Sequence, residues 1–196
     1  VPEAAFYDKA YRGRWNGLTV ISLSIGQGEL GCTPLQMANM VATVANRGHY
    51  RIPHVVKRIH DRDSIDARFY EDHHTKVDAR HFDPIVEGMY KAVNEGGTGR
   101  IAMVPGLDIC GKTGTAQNPH GADHSTFFCF APRNDPKIAV SVYVENGRFG
   151  ATIAAPIASL LTELYLTDTI TRPALVDYVK NMQIAYPYYE KQRKGK

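Results

Sequence analysis

The run Asp108-Ile109-Cys110-Gly111-Lys112-Thr113-Gly114-Thr115 carries the residue types best suited to chemistry in this chain. A lysine followed by Thr-Gly-Thr sets a cation beside two hydroxyls and a residue without a Cβ. Lys112 would lower the cost of a developing anion and attract a carboxylate. Thr113 and Thr115 offer hydroxyls to the same carboxylate, and the Thr115 amide is a candidate donor to an oxyanion. Gly114 leaves room for an acyl group to lie flat against the backbone. The catalytic candidates are therefore Lys112 and Thr115, and the substrate-binding candidates Lys112, Thr113, Gly114 and Thr115.

Gly106 to Thr113 also satisfies the phosphate-loop pattern G-x-x-x-x-G-K-[ST] letter for letter. That loop needs a helix straight after its Lys-Thr, so that helical amides meet phosphate. Here Gly114 and then Asn118-Pro119-His120-Gly121 follow, which cannot start a helix. Leu107 to Cys110 reads as strand. A P-loop nucleotide-binding protein is the weaker rival.

The elements around this run follow from pattern. Residues 107–115, 125–132 and 137–145 read as strands. Ile138, Val140, Val142 and Val144 alternate to one face, and Asn134-Asp135-Pro136 supplies a hairpin turn. Thr33-Pro34 opens a helix that ends at Asn46-Arg47-Gly48 and is expected to be largely buried. A second helix runs from Asp83-Pro84 to Gly96-Gly97, a third from Thr152 to Leu166, and a shorter one starts near Pro173. Residues 19–25 read as a short strand before a Gly26-Gln27-Gly28 turn. Residues 51–60 look extended and 61–80 irregular. The order predicts an α+β fold, an antiparallel sheet packed with helices.

Arg14-Trp15-Asn16-Gly17, Ile25-Gly26-Gln27-Gly28-Glu29 and Thr33-Pro34-Leu35-Gln36-Met37-Ala38 resemble class B penicillin-binding proteins, most of all the penicillin-binding protein 2 type of cell elongation. Gly96-Gly97-Thr98, the Lys-Thr-Gly-Thr run and Phe128 to Pro132 fit the same pattern, and the likeness covers most of residues 10 to 165. It implies the C-terminal part of the β-lactamase/transpeptidase-like fold over residues 1–170, with 171–196 as an extension. It also implies a serine D,D-transpeptidase that cross-links peptidoglycan stem peptides and is acylated by β-lactams. No metal or organic cofactor is implied. The expected parent faces the periplasm from the inner membrane, held there only by an N-terminal anchor outside this chain. Its partners would be wall-synthesis proteins, a glycosyltransferase among them. A non-catalytic binding module of the same family is the alternative.

The mechanism this family uses needs Ser-x-x-Lys and Ser-x-Asn. Ser22, Ser24, Ser64, Ser125, Ser141 and Ser159 have neither lysine three residues on nor asparagine two on. In the family both motifs lie upstream, so the expectation is a partial chain, inactive alone. The resemblance also places a further strand beside 137–145. Its absence predicts an apolar edge, with self-association, pairing to the chain's own N-terminal segment, or a separate complementing chain as outcomes.

The remaining features read as structural. The chain has 196 residues and a net charge of +3, with Lys191, Arg193, Lys194 and Lys196 forming a solvated tail rather than a nucleic-acid surface. Cys110 and Cys129 read as small buried hydrophobes. His120, Asp123 and His124 read as a loop rather than a metal site, His73 and His74 as residues without a nameable partner, and Trp15 as packing. Gln27 has no assignable role. Gly97 and Thr98 read as the end of a helix in preference to a loop shaped near the site.

Overall fold

The computed structural model describes residues 2–60 and 65–184; the basic tail and Ser64 lie outside them. The chain divides into two compact units that meet between Thr33 and Pro34.

The first unit holds α1 (Ala4–Tyr11) and α2 (Gly17–Ser24). Tyr7 is its buried anchor, with the rings of Tyr11 and Trp15 at 6.1 and 5.8 Å. Trp15 is half-buried and donates its indole N–H to Asp8 (2.8 Å), so packing is its role here. The strand expected at 19–25 is a helix instead. Asn16 caps it by accepting the Leu18 amide at 2.9 Å. This segment belongs to neither sheet among the described residues. A helix satisfies the backbone groups that a lone extended run would leave unpaired.

The second unit is built on a three-stranded antiparallel sheet, β3 (Cys110–Ala116), β4 (His124–Ala131) and β5 (Ile138–Val144), in that spatial order. Two two-residue strands, β1 (His49–Tyr50) and β2 (His73–His74), pair separately. There the histidines do find partners, His73 stacking on Tyr50 at 5.3 Å and His74 lying 5.9 Å from His49. The period-two pattern of β4 explains the layers around the main sheet. Phe127, Cys129 and Ala131 face a core closed by Ala154, Ala155 and Ala158 of α5 (Ala154–Thr167). Phe130 faces the opposite core, with Cys110, Val41 and Ala45 of α3 (Pro34–Ala45), and Val86 and Met89 of α4 (Phe82–Asn94). Val140 and Val142 pack toward the α5 side and Ala139 toward the other, as the alternation of β5 predicts.

Only Val41 and Ala45 of α3 are buried, while Leu35 and Met40 are exposed. The expectation of a largely buried helix fails because α3, though packed on β4, β5, β1 and α4, leaves its first turn and Met40 exposed and most of the rest half-buried. A last helix, α6 (Pro173–Asn181), starts with Pro at its first position. It is tied to α5 by an ionic clasp. Glu163, almost fully buried on α5, accepts the Thr171 amide (2.9 Å), the Thr171 hydroxyl (2.6 Å) and the Arg172 Nε–H (2.9 Å). Burial pushes its carboxyl pKa up, but the bonds from Thr171 and Arg172 outweigh that and hold it below the ordinary value. No helix among the described residues is long and apolar enough to cross a membrane.

Candidate active site

β3 places the Lys-Thr-Gly-Thr run on the edge of the sheet, and its register with β4 sets each side chain. Lys112 lies opposite Phe128, Thr113 opposite Phe127, Gly114 opposite Thr126 and Thr115 opposite Ser125. Alternation therefore sends Lys112 and Gly114 to the α3/α4 face, and Thr113 and Thr115 to the other. The lysine side chain is exposed, and its ammonium donates to the Thr113 carbonyl at 2.7 Å. Beside it opens a groove of about 450 Å³ lined by Met40, Val44, Ile85, Met89 and Phe128, with Lys112 and Thr98 at its rim. An apolar wall strengthens any interaction of that cation with an anion placed next to it.

A strand of this composition does not hold itself. It contains two glycines and few β-branched residues, and its position is set by neighbours. Asn94, at the end of α4, donates through Nδ2 to the Tyr90 carbonyl (3.0 Å) and to the Ile109 carbonyl (2.9 Å), clamping the helix end to the start of the strand. Gly96, at φ +80°, then turns the chain out of the helix. Gly97 packs so closely that a Cβ would sit 2.5 Å from the Ala92 Cα. That turn delivers the Thr98 hydroxyl to 2.9 Å from the Thr113 hydroxyl. Thr98, read from sequence as a helix end in preference to a loop near the site, is bonded to a candidate site residue. Only its place after two glycines hinted at it.

Gly114 has a packing reason beyond room for a ligand, because a Cβ there would lie 2.6 Å from the Thr126 methyl. Gly150 comes in over the same spot. A Cβ on it would meet the Thr126 carbonyl oxygen at 2.3 Å and the Gly114 carbonyl oxygen at 2.6 Å. The loop bearing Gly150 is fixed by buried Ser125, which donates to the Phe149 carbonyl (2.8 Å) and accepts the Ala154 amide (3.2 Å). Ser125 is thus a latch and not a nucleophile. Ser159 is likewise buried, donating to the Pro156 carbonyl at 2.9 Å.

Other candidates take structural places. Cys110 and Cys129 are fully buried, and burial pushes both thiols up to about 12, so neither is a nucleophile at neutral pH. His124 accepts the Asn146 amide through Nδ1 (3.0 Å), and Asp123 accepts the Asn118 amide (3.1 Å), so both organise the loop between β3 and β4. After Lys112-Thr113 the chain continues as strand to Ala116, with no helix before β4. The phosphate-loop rival lacks the helical amides it requires.

Comparison with known proteins bears on the family and the fold. Residues 8–163 match the penicillin binding protein transpeptidase domain. The peptidoglycan D,D-transpeptidase MrdA of Haemophilus influenzae is 34% identical over 191 residues, covering 87% of this chain and 29% of that protein. Among solved structures, Pseudomonas aeruginosa PBP2 in complex with WCK 5153 is similar at 36% identity and a TM-score of 0.73, over 85% of this chain and 36% of that one. The imipenem acyl-enzyme complex of penicillin-binding protein A from Mycobacterium tuberculosis is similar at 33% identity and a TM-score of 0.60, over 73% of this chain and 33% of that one. The chain therefore spans roughly a third of the length of the proteins it matches. By the family match, the relatives of the MrdA and PBP2 type and the α+β fold it shares with them, this chain belongs to the penicillin-binding protein transpeptidase family.

Proposed function

We propose that this chain supplies one wall of a D,D-transpeptidase site, in which a serine from outside its 196 residues attacks a D-Ala-D-Ala carbonyl of a stem peptide, releases D-Ala and passes the acyl group to a neighbouring amine. The observation that carries the reading is the edge position of Lys112-Thr113-Gly114-Thr115, with the lysine at the rim of an apolar groove and Thr113 held by Thr98. Lys112 lowers the energy of the anion that develops on acylation and assists proton transfer. Thr113 and Thr115 bind the terminal carboxylate of the donor, and Thr98 fixes the Thr113 hydroxyl. The Thr115 amide donates to the oxyanion, and Gly114 lets the acyl chain approach the strand. The groove at Lys112 is where the segment bearing the nucleophile packs.

The chain alone is inactive on this reading, since none of its six serines stands in Ser-x-x-Lys. β-Lactams acylate the longer protein at the same place. That protein is anchored in the inner membrane, faces the periplasm and works with other wall-synthesis proteins, a glycosyltransferase among them. Intact mass after incubation with a β-lactam tests the proposal, on the chain alone and on a longer protein that includes it. An adduct on the longer protein only is the expected outcome. An adduct on this chain alone places the nucleophile within it and overturns the assignment. Labelling of neither leaves the binding-module reading standing in its place.

A further inference from the structure

Thr98 stands between two openings. It lies on the rim of the Lys112 groove, and it also lines a second cavity of about 860 Å³. One wall of that cavity is the turn from Gly96 to Met103, and the other is the start of α6, with Ala151 of the Gly150 loop completing the lining. The walls are fixed from behind. Glu163 holds Thr171 and Arg172, Arg172 reaches the Met103 carbonyl at 3.5 Å, and Tyr178 donates to the Thr152 carbonyl at 3.0 Å. On the transpeptidase reading the nucleophile-bearing segment packs at the Lys112 groove. The further strand that the family resemblance places beside 137–145 belongs next to β5, two strands away from β3. Neither of those places is this cavity.

Only two of its lining residues are charged, Arg100 and Arg172. Glu163 neutralises Arg172 at 2.9 Å. No hydrogen bond or ion pair engages the Arg100 guanidinium among the described residues, so its charge is open to an anion. Ile101, Met103 and Leu175 supply apolar surface in the same lining, which strengthens an ion pair formed beside it.

The reaction decides which anion this is, and the inference rests on the transpeptidase reading. There Thr113 and Thr115 hold the carboxylate of the D-Ala that leaves, and the Thr98 hydroxyl is 2.9 Å from that of Thr113. The acceptor amine must reach the acyl carbon from the side that D-Ala vacates, because expulsion and attack are one step run in opposite directions. The cavity lies past Thr98 on that side. A peptide seated there would hold its amine within reach of the acyl carbon.

We propose that this cavity is the acceptor subsite, which seats the amine-bearing stem peptide with a carboxylate on Arg100 and methyl groups against Ile101, Met103 and Leu175. The acceptor nitrogen bonds to the acyl carbon, the ester bond to the serine oxygen breaks, and the amine proton passes to that oxygen.

The longer protein that includes this chain tests it, supplied with a D-Ala-D-Ala donor peptide and two stem-peptide acceptors, one ending in a carboxylate and one in a carboxamide. Mass spectrometry scores the cross-linked product, and β-lactam labelling of the parent reports the transpeptidase reading by itself. The parent is expected to use the carboxylate acceptor about tenfold better in kcat/KM. Arg100→Ala should abolish that preference and Arg100→Lys keep part of it. Ala174→Phe narrows the cavity and should slow transfer to both acceptors, so that the acyl group is lost to water instead. Circular dichroism shows that each variant folds. A preference unchanged in Arg100→Ala, or transfer unaffected by Ala174→Phe, overturns the subsite, while labelling of the parent leaves the transpeptidase reading standing. A parent that takes no label removes that reading, and the subsite falls with it.

Discussion

The two edges of one sheet are held in opposite ways. β5 reads Ile138-Ala139-Val140-Ser141-Val142-Tyr143-Val144, a run whose β-branched residues and alternation specify a strand by themselves. β3 reads Cys110-Gly111-Lys112-Thr113-Gly114-Thr115-Ala116, which specifies little and is held by Asn94, Thr98 and Gly150. The edge with strong local preference stands apart from the candidate site, and the edge that bears the candidate site borrows its shape from elsewhere. Catalytic strands need residues chosen for the reaction, so the cost of poor propensity is met by packing around them.

The largest expected effect lies in the clasp between α5 and α6, which reaches the segment ahead of β3. Arg172 reaches from the Glu163 clasp to the Met103 carbonyl (3.5 Å), beyond the turn that presents Thr98. Glu163→Ala strands the Arg172 charge and is expected to cost about 3–5 kcal/mol in chemical denaturation. The pH dependence follows from the depressed carboxyl. Its stabilisation is present above the ordinary value of 4.5 and is lost as pH falls through the lower folded value. Glu163→Gln should therefore flatten the fall in unfolding midpoint below pH 4.5. An unchanged acid limb would mean that the clasp contributes nothing through its charge.

Next comes Gly150→Ala, expected to cost about 2–3 kcal/mol, because a Cβ meets backbone oxygen on both Thr126 and Gly114 and neither can rotate away. A thermal midpoint like that of the parent would show that the loop is free to lift off β3. Asn94→Ala is smaller, about 1–2 kcal/mol, since it frees the Ile109 carbonyl at a half-buried helix end.

These positions also mark where sequence reading stopped. Alternation revealed β5, turn residues revealed the hairpin, and Pro34 and Gly96 marked helix ends, because each signal is local. Lys112, Thr113, Gly114 and Thr115 were legible both as a motif and as part of the strand read at 107–115, but the contacts that hold that strand were not. Thr98 was only hinted at by the glycines before it and Gly150 was not legible, because what they touch depends on where the chain returns after 15 and 36 residues to meet Thr113 and Gly114. The segment at 19–25 misled because Thr19, Val20 and Ile21 favour strands, while the Asn16 cap and the lack of a pairing neighbour decided for helix.

A double-mutant cycle on Thr98→Val and Thr113→Val sharpens the contrast within the site itself. Both hydroxyls lie at the surface, so a coupling of about 0.5–1 kcal/mol is expected, with each single variant folding normally. Acylation of the longer protein by a β-lactam should slow in Thr98→Val by less than in Thr113→Val, if Thr98 acts through its neighbour. Equal losses would instead place Thr98 in direct contact with the ligand.

The smallest effect belongs to the other edge. Ser141 sits mid-strand on β5, half-buried and opposite Phe128. Ser141→Val replaces a hydroxyl with a β-branched side chain where local preference already rules, so stability should change by no more than about 0.5 kcal/mol, in the favourable direction. Thr113→Val is the same kind of exchange at the middle of β3, and it should be unfavourable because it breaks the bond to Thr98. Measured side by side, opposite signs would confirm that β5 is specified by its own residues and β3 by its neighbours. Matching signs would reduce the contrast to composition alone.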